Sequence, residues 1–270
     1  PKIGILGENQ NNGGVGRNNA EQVTMKQGVQ LICKCSRSML PPFNQAKRKE
    51  IWNGWKSSMR DKAIMVLIRG QFENDETAVN AKQHATNVRH QIFSPLMMLG
   101  CRIGFFIGCS RADAIADSYR QEFGPSLVLG AHEEEGFSEE WDAASRLIYR
   151  ATSVAESAHF LFDFMLMLRA DCLWREPFNA WGCDCQKISF PFQQPEIIPG
   201  GVKPVCARAF HAVPRVLLPH FQRAVKSTAE KVATESPGRP HWANLFIETR
   251  DRAGQSNVHI CIDGDWPSEA

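Results

Sequence analysis

The run from His159 to Trp174, HFLFDFMLMLRADCLW, constrains the fold more than any other part of the chain. Taken as a strand, its even positions (Phe160, Phe162, Phe164, Leu166, Leu168, Ala170, Cys172 and Trp174) share one apolar face. The odd positions carry Leu161, Asp163, Met165, Met167, Arg169, Asp171 and Leu173 on the other. A strand apolar on both faces belongs in the middle of a sheet covered by helices on either side. Its charges gather at the carboxyl end, where Arg169 and Asp171 stand two apart and point the same way. Open α/β sheets bind ligands beyond the carboxyl ends of their strands. Arg169-Ala170-Asp171 is therefore the first candidate for a site.

The chain around that run supplies the other layers. Ala63 to Ile68 (AIMVLI) is a short buried strand ended by Arg69-Gly70-Gln71. Glu76 to Leu99 has helical spacing, with last turns kinked or irregular because of Pro95, and ends before Gly100. Arg102 to Gly108 is a second strand, Ser110 caps a helix to Phe123, and Ser126 to Leu129 is a third strand. An acidic loop, His132 to Gly136, leads into a helix from Ser138 to Ser157.

This alternation predicts an α/β fold, a Rossmann-like, mostly parallel sheet flanked by helices. Right-handed crossovers then put Arg69, Ser110, Arg111, His132, Arg169 and Asp171 on one rim. Beyond the organising run the pattern gives strands over Lys187–Phe192, Ala207–Ala212 and Val258–Ile262, with a Gly/Pro loop over Pro195–Pro204. It gives helices over Val216–Glu235 and Arg239–Thr249.

Residues 1–58 read as an irregular N-terminal extension or linker ahead of an α/β domain over 59–270. Gly13-Gly14-Val15-Gly16 tempts as a dinucleotide fingerprint, but Arg17-Asn18-Asn19 follows and the third glycine is missing, so a loop is expected. The chain begins at Pro1 rather than Met, as a fragment or processed product would.

Composition narrows the function classes. A net charge of +2 over 270 residues argues against a nucleic-acid partner. No apolar run reaches the roughly 20 residues of a membrane span. The nine cysteines include Cys33-x-Cys35 and Cys183-x-Cys185, both too tightly spaced for a zinc knuckle, while Cys101, Cys109 and Cys172 suit small core positions. No Ser/His/Asp elbow or Cys/His arrangement is visible.

Several pieces arrive in a telling order. Ile68-Arg69-Gly70-Gln71-Phe72 closes the first strand, and His90 and Pro95 precede Cys101-Arg102-Ile103. Phe162-Asp163-Phe164-Met165-Leu166-Met167-Leu168-Arg169-Ala170-Asp171 follows, with Phe178 and Trp181 behind it. Ala209 to Arg215 (AFHAVPR) and Ile262-Asp263-Gly264 come last. Over residues 62–266 this resembles glycosyltransferase-like proteins of algae, protists and large viruses, in which an "R-G" strand and a "YDF-x-L-R-x-R-x-D" strand lie on a GT-A-like domain. Here Phe162 stands in the Tyr position and Met167 in that of the first Arg, and Arg169-x-Asp171 takes the place of a D-x-D metal motif.

The resemblance implies a nucleotide-sugar donor, a glycan or glycoprotein acceptor, Mn²⁺ or Mg²⁺ as a possible cofactor, and a secretory-pathway lumen as location; otherwise the chain is cytoplasmic. Such an enzyme must neutralise a departing diphosphate with a metal or with Arg and Lys donors. Arg69, Gly70 and Arg169, with His211 and Arg215, would contact the donor, and Asp171 would hold a metal or an acceptor hydroxyl. The alternatives are an ion pair between Arg169 and Asp171 in a catalytically inactive relative with a binding role, or an unrelated Rossmann-type nucleotide-binding protein. Asp163 reads as a buried polar residue tying down a neighbouring loop.

Overall fold

In the computed structural model, the sheet grows outward from Ala63–Gly70 (β1), all eight residues of which are buried. The structure describes residues 56–70, 77–133, 140–170, 172–174, 177–198, 201–206, 210–235 and 242–262. All of them belong to one unit, Leu40–Ala270. The expected N-terminal extension, apart from a helical turn over 56–59, and the Gly13–Gly16 loop lie outside the described residues.

After β1 come Thr77–Val88 (α1), Arg102–Cys109 (β2), Ala112–Phe123 (α2), Val128–Glu133 (β3), Glu140–Ser157 (α3) and Phe164–Arg169 (β4). Ile188–Ile198 (β5), Gly201–Cys206 (β6), Phe210–Pro214 (β7), Leu218–Glu235 (α4), Trp242–Ala253 (α5) and Val258–Ile262 (β8) complete the chain. The strand order is β3-β2-β1-β4-β7-β5; β8 lies against the first half of β5, and β6 against its second half. The strands β1 to β4 are mutually parallel, β7 runs against both of its neighbours, and β8 is parallel to β5. The α/β class and the mostly parallel sheet are thus as expected.

Two-sided burial explains the layers. Ile64, Val66 and Ile68 of β1 join Phe105, Leu166 and Leu168 in a core with Ala81, Ala85 and Val88 of α1 and Ile115 and Tyr119 of α2. Met65 and Leu67 turn the other way, with Phe106, Met165 and Met167, onto Leu147 and Ile148 of α3, Phe221 of α4 and Leu245 of α5. Gly108 belongs to this second face: a Cβ there would strike Leu147, so glycine lets α3 rest directly on the sheet.

The organising run is shorter as a strand than its apolar pattern predicts. Its first residues close α3 instead. His159 sits in the left-handed region at φ 53°, its N–H donates to the Glu156 carbonyl at 3.0 Å, and the Phe160 N–H donates to the Ala155 carbonyl at 2.8 Å. This is a Schellman ending with His in the glycine position, and β4 begins only at Phe164. Asp163, expected to be buried, is exposed. Its carboxylate accepts from the Ala63 N–H at 2.9 Å and pairs with Lys62 at 3.8 Å, so it does tie β1 to β4.

Other boundaries also moved. The N-cap of α2 is Arg111, left-handed at φ 57°, not Ser110. The irregularity expected at Pro95 takes a definite form: α1 passes through a π turn at Arg89–Phe93 into one α turn at Ser94–Met97. The widened turn suits a proline that lacks an N–H and crowds the carbonyl four residues back. The segment Pro195–Pro204 is not a loop but a hairpin of β5 and β6, with Pro195 and Pro204 as register partners. Both prolines fall where β5 has left the main sheet, and proline is admitted on edge strands. The third strand extends to Glu133, β7 lies over Phe210–Pro214, and α5 is shifted to Trp242–Ala253. Among the described residues no helix is long and apolar enough to cross a membrane.

Candidate functional site

The order of strands reverses direction at β1. From β1 the chain steps outward to β2 and β3, then returns to β4 on the other side. Such a switch point opens a crevice at the carboxyl ends of the two central strands. There β1 ends in Arg69 and Gly70, and β4 ends in Arg169. Arg69 is the register partner of Arg169 on one side and of Gly108 on the other. The two guanidinium side chains therefore leave neighbouring strands on the same face, from backbones about 5 Å apart.

Their surroundings differ. Arg69 is only 4% exposed, whereas Arg169 is half-buried. The Arg69 carbonyl accepts from the Ala170 N–H at 2.7 Å, which extends the β1–β4 ladder past the last residue of β4. Gly70 closes β1 at φ 119°, a conformation natural to glycine.

His211 enters from β7, paired with Met167 and so one row below Arg169 on the same face. It is 2% exposed, with Phe190 and Phe221 at ring-centroid distances of 5.2 and 5.5 Å. Burial, reinforced by the positive charge of Arg69, holds its imidazole well below the usual range, so it is neutral.

Beneath the crevice, α1 fixes the chain that leaves β4. The His84 Nε2 lies 3.1 Å from the Arg169 carbonyl, and its Nδ1 lies 2.8 Å from the Tyr119 hydroxyl. A carbonyl only accepts, so Nε2 carries the proton and Nδ1 accepts from Tyr119. Burial, then the charge of Cys109, raises the Tyr119 phenol well above its ordinary range, which keeps it a donor. One turn on, Asn87 clasps Trp174 twice: its Nδ2 donates to the Trp174 carbonyl at 2.8 Å, and its Oδ1 accepts the Trp174 N–H at 2.7 Å. Trp174 packs on Trp181, their ring centroids 4.5 Å apart, and Trp181 in turn on Phe178 and Phe210.

The structure thus brings Arg69, Gly70, Arg169 and His211 together at one rim. His132 of β3 shares it, in register with Gly108. Arg215 does not. It follows β7 at the amino end of β4, where its N–H donates to the Asp163 carbonyl at 2.8 Å. Its guanidinium lies 3.6 Å from Glu156 and 5.2 Å from the Phe162 ring centroid. Six residues of extended chain, about 20 Å, separate it from Arg169. Asp171 lies outside the described residues, although Ala170 and Cys172 on either side are held.

The sequence reading passed over His84, Tyr119 and Asn87 as site supports. The available signal was a histidine on the apolar stripe of α1, a position where an imidazole needs partners for both nitrogens.

Two guanidinium groups beside a glycine turn suit a phosphate or diphosphate, which a planar fork grips with two donors. Among the described residues no group of His, Cys, Asp and Glu is placed to hold a metal ion. Of the candidate residues, a divalent cation's carboxylate ligand would come from Asp171. No family model matches this sequence, and no curated protein is significantly similar to it.

Proposed function

We propose that this chain is a Rossmann-like, GT-A-like glycosyltransferase that uses a nucleotide-sugar donor and a glycan or protein acceptor. The observation that carries the reading is the pairing of Arg69 with Arg169 at the switch point of the sheet. In this role the two arginines neutralise the donor diphosphate, and Gly70 lets it approach the backbone. The acceptor hydroxyl oxygen bonds to the anomeric carbon as that carbon's bond to the diphosphate oxygen breaks. The diphosphate leaves with the electron pair, and the hydroxyl proton passes to a general base. Asp171 would hold a divalent cation or the acceptor hydroxyl. Preorganised cationic donors stabilise a departing diphosphate at the moment its charge develops.

The test is thermal unfolding against a panel of nucleoside-diphosphate sugars, with and without Mn²⁺. A donor at 100 times its dissociation constant adds about 2.7 kcal/mol of stability. A shift for one donor class, lost in Arg169→Ala and Asp171→Ala, is expected. A well-folded sample that answers to no donor would sink the proposal. The burial of Arg69 favours a second reading, a domain that binds a donor or glycan without transferring sugar, because a 4% exposed guanidinium can serve as a packing post. A thermal shift without any sugar transfer would select it.

A further inference from the structure

A second concentration of positive charge lies on the α3–α4 side of the sheet. A groove of about 950 Å³ involves both helices and reaches the sheet at Phe106 and His132. Arg146 and Arg150 of α3 line it four residues apart, and Arg223 and Lys226 of α4 three apart, so each helix turns two cations to one face. All four are exposed, and no carboxylate is among the lining residues. Several other cations are matched: Lys231 and Arg252 share Glu248, Arg120 meets Asp117, and Arg215 meets Glu156. Among the described residues, Arg150, Arg223 and Lys226 are in no ion pair; Arg223 Nε donates to the Pro219 carbonyl at 3.2 Å. With a net charge of only +2 on the chain, this field is local to the groove. Tyr149, 71% exposed, also lines it and offers a flat face to a ring.

Position decides what the charge is for. His132 at the groove is in register with Gly108, and Gly108 with Arg69. Two strand spacings, about 10 Å, therefore separate the His132 and Arg69 backbones. A chain molecule held along the groove would bring its end to the switch point. We infer that the groove is the acceptor site and takes an acidic oligosaccharide, its carboxylate or sulfate groups on the arginines and lysine and one sugar ring on Tyr149. The acceptor role rests on the transferase reading; the binding of an acidic oligosaccharide does not.

Titration calorimetry with a heparin-type sulfated hexasaccharide tests it, alongside a neutral maltohexaose and a single-stranded oligothymidine. Two double variants receive the same charge change: Arg150→Glu/Lys226→Glu in the groove, and Lys82→Glu/Arg102→Glu on exposed positions outside it. The sulfated sugar is expected to bind the unmodified chain more tightly than either other probe. The groove variant should lose at least about tenfold in affinity and the control less than about threefold, as for complementary charges at a defined site. Equal losses in both variants, no binding to the unmodified chain, or tighter binding of the oligothymidine would overturn the inference. If the sulfated sugar binds at the groove while no donor shifts the melting temperature, the transferase reading fails and the acceptor role with it, leaving a glycan-binding groove.

Discussion

The two ends of β4 carry arginines in opposite circumstances. At the amino end, Arg215 faces Glu156 and lies over Phe162, while Asp163 is met by Lys62 and the Ala63 N–H. At the carboxyl end, two arginines are register partners, a neutral imidazole stands behind them, and a His–Tyr pair fixes the backbone below. The first arrangement cancels charge and stitches β1, β4 and β7 together. The second sets two arginines in register beside a glycine turn. The residue type is the same at both ends; its neighbours make one end structural and the other a candidate site.

Four measurements would break or sharpen that contrast. Arg169→Ala should weaken donor binding by about 100-fold, the scale for removing one partner of a charge-assisted contact, while Arg215→Ala should change it less than about threefold. Comparable losses in both would abolish the distinction. Tyr119→Phe should lower stability in urea unfolding by about 1–3 kcal/mol, because it leaves the buried His84 Nδ1 without its donor. Unchanged stability would mean that the His–Tyr pair is not the support described.

The third measurement uses pH. His211 stays neutral in the fold, with a pKa well below 6.5, whereas the unfolded chain takes up a proton near 6.5. Stability should therefore fall as pH drops below about 6.5, by up to about 1.4 kcal/mol per unit from this residue, until the buried imidazole itself titrates. His211→Phe should remove that part of the slope; an identical slope would place the titration elsewhere. The smallest effect belongs to the amino end, where Arg215→Ala should cost less than about 1 kcal/mol of stability.

Much of the centre was legible from pattern alone. Ala63–Ile68 and Arg102–Gly108 are strands with one or two residues added, and Val258–Ile262 is a strand as expected. Continuous apolar runs bounded by Gly and charge leave few alternatives. The Pro195–Pro204 hairpin was missed because proline is a turn signal everywhere except on an edge, and the edge is a tertiary fact. The length of β4 was missed because Phe160 and Phe162 are as apolar as strand residues. Only the left-handed backbone at His159 shows that the chain is still closing a helix there. At the site, Arg69 and Arg169 were legible as strand ends, and their pairing followed from topology. The misplacement of Arg215 has the same root: its distance from Arg169 depends on β7 running backwards, which spacing does not encode.

The order of the strands also bears on how the site is built in time. Arg69 and Arg169 stand 100 residues apart in the sequence and meet only when β4 pairs with β1, whereas His211 lies 44 residues from its partner Met167. The longer the separation in sequence, the slower the pairing, so the β1–β4 ladder is the costlier one to close. The arginine pair is therefore the part of the crevice that waits longest for its contacts, and a chain stalled before β4 joins β1 would hold the two guanidinium groups on separate strands.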